Sequence, residues 1–203
     1  MMLEWMVIGA GPAGIAAVGK LLDEGIPAQK IGWMDPYFTV GDLGRKWGEV
    51  PSNTQVQLFT RYLKNCKAFQ YGTQPKKFLL ESLDPQDTCE LKKVAEPLQW
   101  ITEHLKQKVQ TFLDVAMALQ LAGRCWEVKT KGKSVHAKNV ILAIGSDPKN
   151  LSYPELEVIP METALAPEKL VEHINAQDTV AVFGASHSAV LVLANLLRLK
   201  PKQ

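Results

Sequence analysis

Three glycines near the amino terminus have a spacing that could bind phosphate. The sequence VIGAGPAG places them at Gly9, Gly11 and Gly14. With this spacing the first glycine permits a sharp turn, the second lets a pyrophosphate approach the backbone, and the third lets a helix pack closely on a strand. The unpaired N–H groups at the start of such a helix attract an anion. The segment therefore predicts a site for the phosphates of a dinucleotide.

The residues on either side of these glycines predict the strand and the helix that position them. An apolar run from Leu3 to Ile8 indicates a short buried strand, and the segment from Pro12 to Glu24 repeats apolar residues at helical spacing. Pro12 and Ala13 fall in the first helical turn, where the N–H that proline lacks would have no partner. The alternative is a tight turn that only connects the strand to the helix.

A carboxylate follows at the distance that the dinucleotide signature requires. Asp35 lies about 20 residues beyond Gly14, after a second strand-like run over residues 29–34. There a carboxylate can accept hydrogen bonds from ribose hydroxyls. Asp-Pro pairs are also common in loops, so Asp35 and Pro36 could merely open a turn. The order of strand, glycines, helix, strand and acid favours dinucleotide binding.

A second, less complete signature lies near the carboxyl end. Residues Thr179 to Phe183 read as another short strand, followed by the sequence GASHSA from Gly184 and by a helical run over 190–199. Ser186 stands where a second glycine would be expected. The hydroxyls of Ser186 and Ser188 could bond a phosphate or could only cap the helix, and both interpretations stay open.

Between the two signatures, residues 111–145 predict a small β-meander. Turn signals at Gly123 and around residues 131–133 separate runs rich in strand-forming residues. The last run, Val140 to Ile144, is continuously apolar and ends at Gly145, as in a strand buried on both faces. We expect this strand to join the nucleotide-binding sheet, with its terminal glycine near the phosphates.

Composition excludes several classes of partner. The 203 residues carry a net charge of +2, and the basic residues are scattered, so we expect no nucleic-acid partner. Because no apolar run approaches the ~20 residues of a membrane span, we expect no membrane insertion. Three cysteines, at 66, 89 and 125, show neither a redox pair nor metal-ligand spacing. No metal site is expected, and a reduced cytoplasmic location is the default.

The order of these parts resembles the flavoproteins with two dinucleotide-binding domains, closest to the branch of flavin-dependent monooxygenases and NAD(P)H oxidoreductases. The resemblance rests on VIGAGPAG with Asp35, on ILAIGSDP at residues 141–148, and on VAVFGASHSA at residues 180–189. It implies an α/β fold: a Rossmann-like FAD-binding sheet with a β-meander and a helical insertion, plus the first βα unit of an incomplete NAD(P)-binding domain.

The resemblance also implies domain boundaries. Residues 1–150 would form the FAD-binding domain, with the helical insertion at 55–110. Residues 151–177 would connect it to the start of a truncated NAD(P)-binding domain at 178–203. Residues 61–110 are expected to be mainly helical, with one helix opening at Pro97.

The family's cofactors imply two sets of binding residues. FAD would lie on the first motif, with its adenosine ribose at Asp35, and NAD(P)H would lie on the second motif. A loop over residues 40–60 resembles the family's segment that folds over the flavin, where basic side chains could neutralise phosphate and a tryptophan could flank the ring; a plain surface loop is the alternative. The implied cofactor-binding residues are Gly9, Gly11, Pro12, Ala13, Gly14, Asp35, Arg45, Lys46, Trp47, Ala143, Gly145, Gly184, Ser186 and Ser188.

Two functional hypotheses follow. The first is an FAD-dependent oxidoreductase of the monooxygenase type that takes hydride from NAD(P)H and acts on a small molecule; the unpaired cysteines count against the disulfide-reductase branch. Few residues follow Gly184, which suggests the amino-terminal part of a longer protein or a degenerate member. The second hypothesis is therefore a non-catalytic nucleotide-binding module that assembles as a homo-oligomer or with a second chain covering its carboxyl-terminal helix.

Overall fold

A computed structural model describes residues 2–149, 153–175 and 177–199. The chain divides into two compact units, residues 1–145 and residues 146–203. The expected division into segments 1–150, 151–177 and 178–203 remains a prediction. Each unit is described by itself below.

The first unit is built on one six-stranded sheet. Its strands are β1 (Leu3–Ile8), β2 (Ile31–Met34), β3 (Gln110–Phe112), β4 (Ala118–Ala122), β5 (Cys125–Lys129) and β6 (Ser134–Leu142). Their spatial order is β3-β2-β1-β6-β5-β4. The strands β3, β2, β1 and β6 run parallel, whereas β4, β5 and β6 form an antiparallel meander. The expected α/β fold, a Rossmann-like sheet with a β-meander, is confirmed.

Strand β6 belongs to both parts of this sheet. Ala137 lies opposite Trp126 of β5 and opposite Leu3 of β1. Beyond it, β6 runs parallel to β1 until Leu142, which lies opposite Ile8. The expected burial of the run from Val140 to Ile144 is wrong for its end, because Leu142 and Ile144 are more than half exposed. The pairing stops where β1 turns away at Gly9, so the last residues of the run project past the sheet.

Four helices accompany the sheet in this unit. They are α1 (Pro12–Asp23), α2 (Gly41–Arg45), α3 (Val56–Lys64) and α4 (Lys92–Lys106). The main core joins Ile15 of α1, Trp33 of β2 and Ile101 of α4, all of which are fully buried. A second cluster forms around Met6 and Val128. Because β1 contributes to both clusters, its apolar run is explained by burial on two faces.

The insertion between β2 and β3 is less helical than the sequence suggests. Residues 65–91 contain only two short 3₁₀ turns, at Lys67–Phe69 and Leu79–Ser82. The predicted start of a helix at Pro97 is also wrong, since α4 begins at Lys92 and contains this proline. The N–H groups of Leu91 and Lys92 donate to the carbonyls of Val50 and Gly48, at 3.0 and 2.8 Å. The distant loop at residues 48–50 thus pairs the N–H groups at the start of α4, which have no acceptor within the helix. Local sequence does not reveal this support, so the earlier start of α4 could not be predicted.

The described residues of the second unit form three helices, α5 (Met161–Ala164), α6 (Pro167–Leu170) and α7 (His187–Arg198). The Nδ2 atom of the buried Asn195 donates to the carbonyl of Ala164 at 3.2 Å and joins α7 to α5. The predicted strand from Thr179 to Phe183 is wrong: the described residues of this unit form no strand. A strand is stabilised by the ladder to a neighbouring strand, and these residues have none beside them.

Across residues 2–149, 153–175 and 177–199, no helix combines the length and the apolar character that crossing a membrane requires.

Candidate functional site

The first glycine of the amino-terminal motif forms the turn at the carboxyl end of β1. Gly9 has a φ of +106°, a conformation that side-chain-bearing residues rarely adopt. Its N–H donates to the carbonyl of Met34 at 2.8 Å, and the N–H of Ala143 donates to the carbonyl of Ile8 at 2.8 Å. A Cβ at Gly9 would overlap the carbonyl oxygen of Ala143. The ends of β1, β2 and β6 are therefore held together at this turn, which is the sharp turn expected at Gly9. The role of Ala143 in lining a cofactor remains a prediction.

The third glycine allows α1 to lie against the turn. A Cβ at Gly14 would overlap the carbonyl oxygen of Gly9. The same carbonyl accepts a hydrogen bond of 2.9 Å from Nε1 of the buried Trp33. Glycine at this position is thus required by close helix–strand packing, which is the role that the motif predicts.

The second glycine differs from the other two. Gly11 has φ −75° and ψ −179°, which any residue can adopt, and it precedes α1 as its N-cap. A Cβ at this position would meet nothing closer than 3.9 Å, at the Cα of Gly41 and the carbonyl oxygen of Val40. The packing of the protein itself therefore does not require glycine here. The backbone is left open to a group from outside the chain.

The start of α1 offers positive potential, and no side chain of its own first turn competes with an anion for the N–H groups there. No side chain caps the helix, and its first turn contains no acidic residue. Pro12 occupies the first turn as predicted, and Ala13 is exposed beside it. The first N–H groups of a helix lack intrahelical acceptors and carry about half a positive elementary charge together. This end of a twelve-residue helix can bind an anion.

Asp35 lies at the end of β2 and is only 8% exposed. Its Oδ2 accepts a hydrogen bond from the N–H of Ala10 at 2.8 Å, and its Oδ1 accepts from the N–H groups of Tyr37 and Phe38 at 2.8 and 2.7 Å. The turn role considered from the sequence is therefore present. A carboxylate can accept about four hydrogen bonds, so roughly one acceptor position remains for a ribose hydroxyl.

A strained loop covers the helix start. Phe38 and Val40 have φ values of 53° and 60°, which are unusual for a bulky and for a β-branched residue. Such conformations cost on the order of 1–3 kcal/mol each and persist only where the surroundings impose them. Sequence reasoning did not identify these two residues, because neither residue type signals a left-handed backbone.

Buried contacts impose this loop conformation. The ring of Phe38 packs edge-on against Trp33, with 5.0 Å between ring centroids, and its carbonyl accepts a 3.0 Å hydrogen bond from Nε2 of Gln99. The loop thereby brings Gly41 against the motif: a Cβ on Gly41 would lie 2.9 Å from the Cα of Gly11. Gly41 therefore borders the open space at Gly11, and the contacts of Phe38 hold the loop that carries Gly41 in place.

The basic segment after this loop has protein partners of its own. The guanidinium of Arg45 lies 4.0 Å from the centre of the Tyr37 ring, and Nζ of Lys46 lies 3.0 Å from a carboxylate oxygen of Asp42. Trp47 is half-buried. Helix α2 starts at Gly41, so the segment adjoins the glycine motif. Direct roles of Arg45, Lys46 and Trp47 toward a cofactor remain predictions.

Gly145 has a φ of +68°, and a Cβ on it would meet no atom within 4 Å. Its conformation favours glycine, although no neighbouring atom would block a side chain. Its predicted role in lining a cofactor remains a prediction.

The second motif lies in the other unit. Gly184 has a φ of +129°, and α7 begins directly after Ser186. Ser186 is the N-cap residue of α7, as the capping interpretation expects, but its side chain makes no capping hydrogen bond. Ser188 lies in the first turn and is half-buried. Phosphate contacts by Gly184, Ser186 and Ser188 remain predictions.

The cysteines offer little thiolate chemistry. Cys66, Cys89 and Cys125 are all free thiols. Burial raises the pKa of Cys66 to about 11 and also raises the pKa of Cys89. Since the thiolate is the reactive form, these two residues lack the depressed pKa of redox-active cysteines.

Known proteins resemble this chain over most of its length. The sequence profile of the family described as pyridine nucleotide-disulphide oxidoreductase matches residues 6–201. The monooxygenase AgnR1 of Paecilomyces divaricatus is 35% identical over 219 aligned residues, covering 96% of this chain and 55% of the relative. The chain thus spans about half the length of this curated relative.

Solved structures share the fold. A cyclohexanone monooxygenase from Rhodococcus sp. Phi1, bound to NADP+, matches with a TM-score of 0.53 and 21% identity, over 77% of this chain and 28% of that chain. The protein OTEMO, in complex with FAD and NADP, matches with a TM-score of 0.54 and 15% identity, over 77% and 28% of the two chains.

Proposed function

Because the chain belongs to the pyridine nucleotide-disulphide oxidoreductase family, we propose that its first unit binds FAD and that it serves in an oxidoreductase that takes hydride from NAD(P)H. The monooxygenase relative and the structural match that holds FAD and NADP support this proposal. Bound FAD would supply the redox chemistry, while the protein supplies binding, orientation and electrostatics.

The open backbone at Gly11 is the observation that carries the proposal. Gly9 and Gly14 are explained by contacts inside the protein, whereas the protein atoms nearest to a Cβ at Gly11 would lie 3.9 Å away. A glycine that packing does not need, next to an uncapped helix start, fits the close approach of a pyrophosphate. Ala13 would lie beside the phosphates on the exposed side of this turn.

Other residues would orient the dinucleotide. The remaining acceptor position of Asp35 would receive a ribose hydroxyl, with the carboxylate held in place by its bonds to the N–H groups of Ala10, Tyr37 and Phe38. Ala143 and Gly145 would lie along the cofactor at the end of β6. Arg45 and Lys46 would contribute positive charge at the phosphates, and Trp47 would flank the ring system.

The second unit would hold the hydride donor, with phosphate contacts at Gly184, Ser186 and Ser188. We favour a monooxygenase-like enzyme over a disulfide reductase, because the thiols of Cys66 and Cys89 have raised pKa values. Free cysteines also support a reduced, cytoplasmic location. A small molecule is the proposed substrate.

The visible spectrum of the purified chain tests the proposal. After incubation with FAD and removal of unbound cofactor, we expect flavin absorption that corresponds to nearly equal molar amounts of FAD and chain. NADPH or NADH should bleach this absorption under anaerobic conditions. The variant Gly11→Val should emerge colourless with an unchanged circular dichroism spectrum. A colourless unsubstituted chain would contradict FAD binding, and flavin that NAD(P)H does not bleach would contradict the role of the second unit.

One observation favours a second candidate, a non-catalytic nucleotide-binding module that assembles with another chain. Val190, Leu193 and Leu197 lie on one face of α7, and each is about half exposed or more. An uncovered apolar stripe of this kind is typical of an interaction surface. Flavin retention without reduction by NAD(P)H, together with protection of α7 from proteolysis by an added partner chain, would favour this module.

A further inference from the structure

The edge of the sheet formed by β4 is unusually unprotected. In the described sheet β4 is the terminal strand and pairs with β5 alone. Proteins normally blunt such edges with charged residues, prolines or a covering segment. Here the nine residues from Val115 to Gly123 contain neither a charge nor a proline. Leu121 of the strand is 58% exposed, and Met117, the residue before the strand, is also exposed.

The sequence of β4 is the same in both directions. Ala118 to Ala122 read ALQLA, a palindrome centred on Gln120. When a strand pairs antiparallel with its own copy about a two-fold axis at Gln120, the residues that lie opposite each other are Gln with Gln, Leu119 with Leu121, and Ala118 with Ala122. Every pair is uncharged and matched in size, as a two-fold interface requires.

The charges beside the strand are complementary in the same arrangement. Asp114 precedes the uncharged run and Arg124 follows it. In this register Arg124 of one copy lies opposite Ala116 of the other, two positions from Asp114, so the opposite charges are diagonal neighbours about 7–8 Å apart. Leu121 would be covered by Leu119 of the second copy. We propose that β4 is a homodimerisation edge, through which two copies of this chain join their sheets into one continuous twelve-stranded sheet.

The size of the contact sets its strength. Five paired residues span only about 17 Å of strand, which buries far less than the ~1,200–2,000 Å² of stable complexes. The dimer is therefore weak and reversible, with a Kd on the order of 1–100 µM. In sedimentation velocity, the average mass should rise with concentration from the monomer value of 22.5 kDa toward twice that value.

A charged residue at the edge should abolish this association. Leu121→Lys places like charges at the interface, and the monomer should tolerate it because the leucine side chain is already exposed. Leu79→Lys is the matched control, since Leu79 is equally exposed but lies in the insertion, outside the meander. We expect a monomer at all concentrations for the first variant and unchanged association for the second, with equal melting temperatures as a check on folding.

Cysteine cross-linking tests the register. Opposite residues of an antiparallel pair have Cα atoms about 4.5–5.5 Å apart, within the range of a disulfide. Under oxidised glutathione, which takes up the two electrons, Gln120→Cys should form a dimeric disulfide. Ala118→Cys is the control on the same strand face, because its two copies would lie about 14 Å apart. Mixing Ala118→Cys with Ala122→Cys should restore cross-linking.

Each outcome decides the proposal. Concentration-dependent mass that Leu121→Lys abolishes, with cross-linking selective for position 120, supports it. A monomer at every concentration, a dimer that survives Leu121→Lys, or equal cross-linking of Gln120→Cys and Ala118→Cys would each overturn it. The cross-linking of the unsubstituted chain, which carries Cys66 and Cys125, sets the background.

Discussion

Replacing Gly11 by alanine separates the affinity for FAD from the stability of the fold. The added methyl group would enter the space at the start of α1, where its nearest protein neighbours lie 3.9 Å away. It would therefore obstruct a pyrophosphate without disturbing the protein. Gly14→Ala is the matched control, since its methyl group would overlap the carbonyl oxygen of Gly9.

The expected magnitudes follow from these contacts. Alanine restricts the unfolded chain and stabilises by about 0.4–1 kcal/mol, whereas the loss of glycine at the N-cap costs a similar amount. The net change in unfolding free energy should stay within about 0.5 kcal/mol. Losing one charge-assisted hydrogen bond to the phosphates costs about 1.5–3 kcal/mol, which corresponds to roughly 10- to 150-fold weaker FAD binding.

Two measurements check this prediction. Titration of FAD, followed by the quenching of flavin fluorescence, gives the Kd, and thermal unfolding without FAD gives the stability. Gly11→Ala should weaken binding at an unchanged melting temperature, whereas Gly14→Ala should lower the melting temperature, with a cost of about 1–3 kcal/mol. An FAD affinity within twofold of the unsubstituted chain would refute the close approach of a pyrophosphate to Gly11.

Three further predictions concern the helical side of the first unit. Burial, and secondarily Lys108, lowers the pKa of His104, whose Nε2 is buried without a described partner. Stability should therefore fall as pH drops below about 6.5, and melts at pH 7.5 and 5 should show a smaller fall for His104→Phe. Burial would raise the pKa of Asp23, but hydrogen bonds from the N–H groups of Lys67 and Ala68 outweigh it and lower the pKa. Its contribution is present above about pH 4 and is lost as the pH falls through the lowered pKa, so denaturant titrations should show Asp23→Asn less stable at pH 7, with the difference shrinking on acidification. Gly19→Ala should cost about 1–3 kcal/mol in the same assay, because the new methyl group would overlap the ring of Phe69 and lie 2.6 Å from Sγ of Cys66; an unchanged midpoint would show that α1 can shift.

Local sequence patterns predicted the elements on either side of the amino-terminal glycine motif well. The bounds of β1 agree with the apolar run from Leu3 to Ile8, and α1 begins at Pro12 as its helix signals indicate. The distinct roles of Gly9 and Gly14 also follow from spacing alone, because turn geometry and helix–strand packing act within a few residues.

Features that depend on distant residues were not predictable. The early start of α4 depends on acceptors at Gly48 and Val50, and the strained loop depends on the packing of Phe38 against Trp33. The segment from Thr179 to Phe183 has the composition of a strand, but pairing is a property of the neighbour and cannot be read from one segment.

The dual membership of β6 makes it the least adjustable segment of the chain. Ala137 aligns simultaneously with Trp126 and Leu3, so one insertion or deletion between Ser134 and Leu142 would shift two ladders at once. A slip of one residue reverses which side chains face each side of a sheet. Length variation in descendants of this sequence should therefore accumulate in the hairpin at Gly123, whose backbone is open to solvent, and should spare the strand that ends beside Ala143.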